Sequence, residues 1–334
     1  MPKFFILIMT KTKYKAIINW LFLGYFLILL MVIIGGITRL TGSGLSMADW
    51  KPIMGAIPPL NEADWQEKFE LYKATPEFKI INKDFNLEDF KSIFWWEFIH
   101  RDLGRLIGLI FIFPFLLFWI QGRFDKKLLQ KMFIILTLGA FQGLLGWYMV
   151  SSGLDKIPHV SHYRLAAHFV TALSAMLYIF WVAISLIYPY STPNKTINKQ
   201  GKRLFVLVLL QIIFGAFTAG LKAGFGNFDF IAIFSIPNQI KDWFNHGESV
   251  LFVHRYIGLF ILIYATYIFF RTKKEDNVLP HQKTAILVVY ALILLQVSLG
   301  ISTLLLAVPI SLAVLHQVVA VLVITSILYL IKRS

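Results

Sequence analysis

The stretch of sequence that decides the fold is WWEFIHRDLGRLIGLIFIF, at residues 95–113. Its second part is an apolar run, interrupted only by Arg105, of the kind that enters a lipid bilayer. Its first part carries Glu97, His100 and Arg101, which are costly side chains to place beside hydrocarbon. We therefore expect a membrane helix whose polar groups are satisfied by other groups inside the protein.

The composition of the whole chain agrees with a membrane location. Of the 334 residues, 57% are hydrophobic and only 15% are charged, which excludes an ordinary soluble protein. Apolar blocks long enough to cross a hydrocarbon core of about 30 Å recur along the chain. We predict an all-α integral membrane protein with eight transmembrane helices. The predicted segments are 17–37, 103–120, 132–150, 165–188, 204–221, 250–270, 284–305 and 310–331.

The distribution of charge predicts the orientation of these segments. The net charge is +14, and 18 of the 32 Lys and Arg residues fall in the termini and in alternate connections, which contain three acidic residues. Basic residues collect on the cytoplasmic side of membrane proteins, so both termini are expected inside. This arrangement indicates attraction to anionic membrane lipid and implies no nucleic-acid partner. The chain has no cysteine, which excludes disulfides and thiolate metal sites.

An internal repeat relates the first four segments to the last four. GGITRLTGSGL at the end of the first segment resembles GAFTAGLKAGF at the end of the fifth, and FIHRDLG in the second resembles FVHRYIG in the sixth. QGLLGW and LAAHF in the first half correspond, in the same order, to QVSLGI and VLHQ in the second half. We predict two pseudo-symmetric four-helix bundles, one in residues 1–190 and one in 191–334. Residues 39–99 would form a long outer loop with an amphipathic helix near 62–73.

Four histidines recur at equivalent places in the repeat: His100, His168, His254 and His316. Each stands near the start of an outside-to-inside segment, and a small residue follows each of them four positions later, one helical turn away. Two imidazoles on facing helices, with room beside them, fit a haem with two axial ligands. A lone histidine is more often an interfacial residue, and small residues also serve helix packing. The recurrence in both halves favours ligation, and the other four histidines are interpreted as loop residues.

Charged neighbours of these histidines differ between the halves. Arg101, Arg105 and Arg255 could hold haem propionates or could reach lipid headgroups, and the sequence leaves both readings open. Glu97 lies three residues before His100, on the same helical face, whereas the matching residue of the second half is Leu251. A buried carboxylate there is a candidate proton acceptor, and the alternative is a salt bridge to Arg101 or Arg105.

Taken together, GGITRLTGSGLSMADWKPIMGAIPP, WWEFIHRDLGRLIG, LAAHF, VHRYIG and VLHQ resemble the haem A synthase family of bacterial and mitochondrial inner membranes, over nearly the whole chain. Some family members carry a cysteine pair in outer loops, and this chain is similar to the cysteine-free branch. The resemblance implies oxidation of the C8 methyl of haem O to a formyl group through hydroxylated intermediates, with water as the oxygen source. The product would supply cytochrome oxidase.

The resemblance also implies roles for individual residues. His100 and His168 would face the substrate haem in the N-terminal bundle, with Glu97 as the catalytic carboxylate. His254 and His316 would ligate a permanent haem b near the periplasmic side of the inner membrane. Haem O synthase, oxidase assembly proteins, a second copy of the chain and an unidentified electron acceptor are the partners it suggests. A di-haem cytochrome b that exchanges electrons with quinone and a non-enzymatic haem carrier are the rival interpretations.

Overall fold

The computed structural model describes residues 3–48, 54–154, 158–190, 194–225 and 242–334, and its regular structure in these ranges is entirely helical. Within these ranges, eight helices are long and apolar enough to cross a membrane, which confirms the all-α class and the eight predicted segments. Two short α-helices and a 3-10 helix, Met54–Ala56, lie in the connection between the first two of them, which is the predicted first outer loop. The bounds are α1 Lys3–Leu40, α2 Glu62–Lys73, α3 Pro76–Ile80, α4 Leu87–Ile120, α5 Lys126–Leu154, α6 His162–Ile187, α7 Lys195–Gly220, α8 Gly247–Lys273, α9 Pro280–Leu305 and α10 Ile310–Arg333.

Helix α4 begins much earlier than residue 103, the predicted start of the second segment. Asn86 caps it, because its side-chain oxygen accepts hydrogen bonds from the backbone N–H groups of Glu88 and Asp89, and the Asp89 carboxylate accepts one from the backbone N–H of Asn86. The early turns of α4 are too polar to register as a membrane segment. The predicted loop 39–99 is correspondingly shorter, and Glu97 and His100 lie well inside the helix, not in its first turns.

An aromatic cluster fixes the first outer loop to α4. The amphipathic helix predicted near 62–73 is α2, and its Trp65, Phe69 and Tyr72 pack against Phe90 and Phe94 of α4. Burial raises the pKa of Tyr72, whose hydroxyl is hydrogen-bonded within the loop. Each aromatic pair adds about 0.5–1.5 kcal/mol beyond the area it buries. The loop is therefore a folded structure on the helix that carries the candidate site.

The chain forms two compact units. One consists of residues 27–172, and the other of residues 1–26 together with 173–334. Within the second unit, α7 packs against α8, α8 against α9, α9 against α10, and α10 back against α7, which gives a closed four-helix arrangement. The predicted division at residue 190, the pseudo-symmetry of the two halves and the orientation of the chain remain predictions.

Candidate functional site

The histidines of the second unit form a facing pair. The rings of His254 on α8 and His316 on α10 have centroids 6.4 Å apart and are inclined by 79°. Two metal–nitrogen bonds of about 2 Å, with about 1 Å more from each nitrogen to its ring centre, require a separation of about 6 Å. The pair is therefore spaced to hold one metal ion between the rings, as axial imidazoles hold the iron of a haem.

A backbone contact decides which nitrogen of His254 is available to a metal. Its Nδ1 lies 3.2 Å from the backbone carbonyl oxygen of Gln211, so Nδ1–H is the donor and Nε2 carries the free lone pair. A ligating histidine commonly donates its other N–H to a carbonyl or carboxylate, which fixes the ring and raises its basicity. The arrangement at His254 therefore suits ligation through Nε2.

A glutamine amide accompanies three of the four histidines. The Nε2 atom of Gln211 lies 3.4 Å from His254 Nε2, and that of Gln296 lies 3.3 Å from His316 Nε2. Within the described residues, the amide oxygens of both glutamines are buried and have no hydrogen-bond partner. An amide can rotate to present that oxygen to an imidazole N–H. At His316, whose Nδ1 is also buried without a partner among the described residues, the rotated Gln296 amide could accept the Nδ1–H and leave Nε2 to a metal.

The first unit has an equivalent arrangement at His168. The amide nitrogen of Gln142 lies 3.1 Å from its Nδ1, 3.3 Å from its Nε2 and 3.0 Å from its backbone oxygen. The amide oxygen of Gln142 is also buried without a partner among the described residues. His100, on α4, lies in the same unit. Each unit thus contains two of the four histidines, and the structure shows two of the rings, His254 and His316, facing each other.

A glycine on a neighbouring helix packs against every one of the four histidine rings. A methyl group added to any of these glycines would lie 3.0–3.2 Å from the ring, closer than ordinary carbon contacts. The pairs are Gly35 with His100, Gly146 with His168, Gly215 with His254, and Gly300 with His316. The repeat aligned these glycines with one another, but their contact with the histidines was not predicted. Each ring therefore lies in a cradle that admits no larger residue.

Neighbouring side chains pack against two of the small residues predicted to leave room beside the histidines. A methyl group on Gly104 would lie 3.0 Å from Cε of Met31, and one on Gly258 would lie 3.1 Å from Nε2 of Gln211. Gly104 and Gly258 are the small residues four positions after His100 and His254. The surfaces beside them are lined by Met31 in one unit and by Gln211 in the other.

Glu97 is the centre of a buried polar network in the first unit. Its side chain is 3% exposed, and its Oε2 accepts hydrogen bonds from the Ser46 hydroxyl at 2.7 Å and the Met47 backbone N–H at 2.9 Å. Its Oε1 accepts from Arg101, which also donates to the Met47 carbonyl at 3.2 Å. An ionised carboxylate only accepts hydrogen bonds, so three donors around it satisfy its chemistry. Glu97 therefore joins α4 to the chain that follows α1.

The arginines occupy different surroundings. Of the alternatives left open by the sequence, the salt bridge between Glu97 and Arg101 is present. Arg105 lies 3.5 Å from the Asp102 carboxylate. The contribution of Arg101, Arg105 and Arg255 to propionate binding stays a prediction.

Two of the four histidines interpreted as loop residues lie in helices. His162 is the first residue of α6, is buried, and lies against Tyr163. His281 lies in the first turn of α9, with Nε2 3.4 Å from the Arg333 carbonyl. The loop interpretation was wrong for both, because the helices begin before their apolar runs. In the described part of the chain, no group of three or more His, Cys, Asp or Glu side chains is arranged to hold a metal ion.

Comparison with known proteins shows the family of the chain. The COX15-CtaA family, described as cytochrome oxidase assembly protein, matches residues 18–328. A protein of Flavobacterium psychrophilum named Heme A synthase is 41% identical, over 96% of this chain and 98% of its own length. Proteins of the same name from Nitrosospira multiformis and Wolbachia pipientis are each 40% identical, over 94% of this chain and 92% and 91% of their own. The chain therefore belongs to the COX15-CtaA family of cytochrome oxidase assembly proteins.

Proposed function

We propose that this protein is a haem A synthase, an enzyme that oxidises the C8 methyl group of haem O to a formyl group. The observation that carries the proposal is the spacing of His254 and His316, which suits two axial ligands of one haem iron. The same contacts of glycine and glutamine with histidine recur at His168 in the other unit, which supports a second haem site. Similarity over nearly the full length to proteins named Heme A synthase selects this reaction among those of haem proteins.

The two histidine pairs take different haems in this proposal. His254 and His316 hold haem b as a resident cofactor, which supplies a one-electron acceptor within the membrane when it is bound. His100 and His168 hold haem O as substrate. Arg255 follows His254 in the sequence, and Arg101 and Arg105 follow His100. They are the proposed partners of the haem propionates.

The reaction balances with water as the source of oxygen. In the first hydroxylation the methyl group loses a hydrogen and gains a hydroxyl from water, which releases two electrons and two protons. A second hydroxylation of the same carbon gives a geminal diol with the same release. Loss of water from the diol leaves the formyl group. The net oxidation yields four electrons, which pass to an electron acceptor of the membrane, and four protons, which the protein must carry away.

Glu97 is the residue proposed to accept these protons. It is the buried carboxylate on the helix of His100, and Leu251 stands at the matching place beside His254. Arg101 offsets its charge, and Ser46 and Met47 hold its other oxygen, so the carboxylate has one orientation. A proton taken at Glu97 would weaken the contact with Arg101 and could pass on through the Ser46 hydroxyl. The protein would thereby remove protons without admitting bulk water.

The membrane location completes the proposal. The eight apolar helices make a multi-pass membrane protein, and bacterial relatives and the charge pattern support the inner membrane with both termini in the cytoplasm. The histidine pairs would then lie toward the periplasmic side. The folded first outer loop, held by the aromatic cluster, offers a surface on that side for haem O synthase or an oxidase assembly protein.

The test is to purify the full chain from cells that supply haem O, extract the haems and separate them by chromatography. Haem b together with haem O, a hydroxylated intermediate or haem A is the expected result. Glu97→Gln should keep both haems and lose the formyl product, whereas Glu88→Gln, an exposed acid on the same helix, should leave conversion unchanged. Two equivalents of haem b and no other haem would refute the proposal and indicate a di-haem cytochrome.

A further inference from the structure

The second unit contains a cavity of about 970 Å³ that the proposed reaction does not use. Four cationic residues of α7 line it, spaced so that they share one face of the helix over about 12 Å. Farther along, Val206 and Leu207 of α7 and Phe260 of α8 make the lining apolar. No Asp or Glu is among its lining residues. The cations are Lys195, Lys199, Lys202 and Arg203.

The lining of the cavity also includes a tyrosine whose hydroxyl group is unsatisfied. Tyr264 of α8 lines the same cavity, and its hydroxyl oxygen is buried without a hydrogen-bond partner in the described part of the chain. Leaving such a group without a partner is costly, and each one in a folded protein calls for an explanation. This oxygen has almost no accessible surface, so a bound molecule would accept its hydrogen bond only after the Tyr264 side chain turns toward the cavity.

We propose that this cavity binds an anionic phospholipid of the bilayer. The phosphate meets the lysines at the start of α7, an acyl chain lies along Val206, Leu207 and Phe260, and an ester oxygen accepts the hydrogen bond from Tyr264. The charge distribution predicts that this end of α7 is cytoplasmic, the side on which anionic headgroups attract basic segments. A neutral quinone would leave the four cations without a function, and free phosphate would leave the apolar wall without one.

The test measures retained lipid on the purified full-length protein by native mass spectrometry, after exchange from vesicles of phosphatidylglycerol and phosphatidylcholine. The double variant Lys199→Ala/Lys202→Ala should retain at least about tenfold less phosphatidylglycerol than the wild type. Its retention of phosphatidylcholine should not change. Tyr264→Phe should lower the retention less. Lys126→Ala/Lys127→Ala, which removes two exposed cations from α5, is the matched control. Equal retention in both double variants, or displacement of the lipid by inorganic phosphate alone, would overturn the proposal.

A second inference comes from the residue one turn before each histidine-facing glycine. In three of the four cases this residue is a glutamine whose amide contacts the histidine ring, namely Gln142, Gln211 and Gln296. Before Gly35 the residue is Met31, whose methyl group packs against Gly104. His100 accordingly has no hydrogen bond from its ring among the described residues.

We infer that Met31 is a positioning residue that makes His100 the weakest of the four haem ligands. This inference rests on the proposed function, in which the haem at His100 is a substrate and must leave. A hydrogen-bond partner on a ligating histidine fixes its orientation and raises its basicity, and losing one typically costs 10–100-fold in metal affinity. Both histidines of the haem b pair have a glutamine, which suits a permanent haem, whereas in the substrate pair only His168 has one and the thioether beside His100 lets the product dissociate.

The test is the rate at which each haem passes from the purified protein to apomyoglobin, with the low-spin electron paramagnetic resonance signal of each site recorded in parallel. Met31→Gln should slow the release of haem O or haem A about tenfold and shift the signal of that site, while haem b is unaffected. Met31→Leu, which has no hydrogen-bonding group, is the matched control. Gln296→Met should do the reverse and speed the loss of haem b.

The outcomes separate this inference from the proposed function. Equal release from Met31→Gln and Met31→Leu would refute the role of Met31, even where the enzyme still converts haem O. A wild-type protein that holds no haem O or haem A would instead refute the proposed function.

Discussion

Replacing Gly300 by alanine tests whether the histidine pair of the second unit is a haem site. The new methyl group would lie 3.0 Å from Cε1 of His316, whereas carbon atoms in favourable contact are about 3.5–4.0 Å apart. The ring must therefore move by about 0.5–1 Å, away from a position whose separation from His254 suits an axial ligand. We expect Gly300→Ala to lose haem b selectively.

The expected size of the loss follows from the cost of overpacking. Inserting a methyl group into a packed interior typically costs about 1–3 kcal/mol. If this cost falls on the ligand geometry, haem b affinity falls about 5–150-fold, since about 1.4 kcal/mol corresponds to tenfold. Alanine favours a helix over glycine by about 1 kcal/mol, so Gly300→Ala should not unfold α9. The loss would appear in haem content and not in helicity.

The assay is haem b per chain after purification and titration with added haem, with circular dichroism as the measure of folding. Two glycines provide matched controls, because a methyl group on Gly24 or on Gly143 would meet no atom within 4 Å. Gly24→Ala and Gly143→Ala should bind haem as the wild type does. Gly146→Ala should lose the substrate haem and keep haem b. Full haem b content in Gly300→Ala would refute the argument that the glycine sets the ligand position.

Three further predictions concern stability, measured as thermal unfolding in detergent. Glu97→Ala should destabilise the first unit by about 3–5 kcal/mol, because it leaves the largely buried Arg101 without its ion-pair partner, and unchanged unfolding would contradict a structural role of the pair. Asn86→Ala should cost about 1 kcal/mol by removing the cap of α4, while a null effect would show that the aromatic cluster alone fixes this end. Val308→Gly should stabilise by about 1 kcal/mol, because a valine with φ of 61° is strained, and destabilisation would show that its side-chain packing outweighs the strain.

The sequence was sufficient for the helices and for the candidate histidines. Apolar runs of membrane length are local signals, so all eight segments were found. The start of α4 was missed, because the turns around Glu88 and Asp89 are polar and their apolar residues face α2 instead of lipid. A run of apolar residues reveals a membrane segment where lipid surrounds the helix. The first turns of α4 pack against α2 instead and have no such run.

The partners of the candidate residues could not be read from the sequence. Ser46 and Met47 lie some fifty positions before Glu97, and no local pattern announces that they donate to it. The repeat made Gly215 and Gly300 visible as recurring residues, but a glycine can serve helix packing, a turn or a cradle. Only the three-dimensional arrangement identifies a histidine ring as the neighbour of each.

The differences between the two halves indicate how one repeated framework could supply both a cofactor site and a substrate site. The contact of glycine with histidine is common to both halves, so in the proposed function it serves both haems. Two residues near the histidines differ: Met31 stands where the second half has Gln211, and Glu97 stands where it has Leu251. Both changes fall around His100, where one removes a hydrogen-bonding side chain and the other adds a buried acid. A site that must release its haem and take up protons needs these two changes, whereas a site that only holds a haem needs neither.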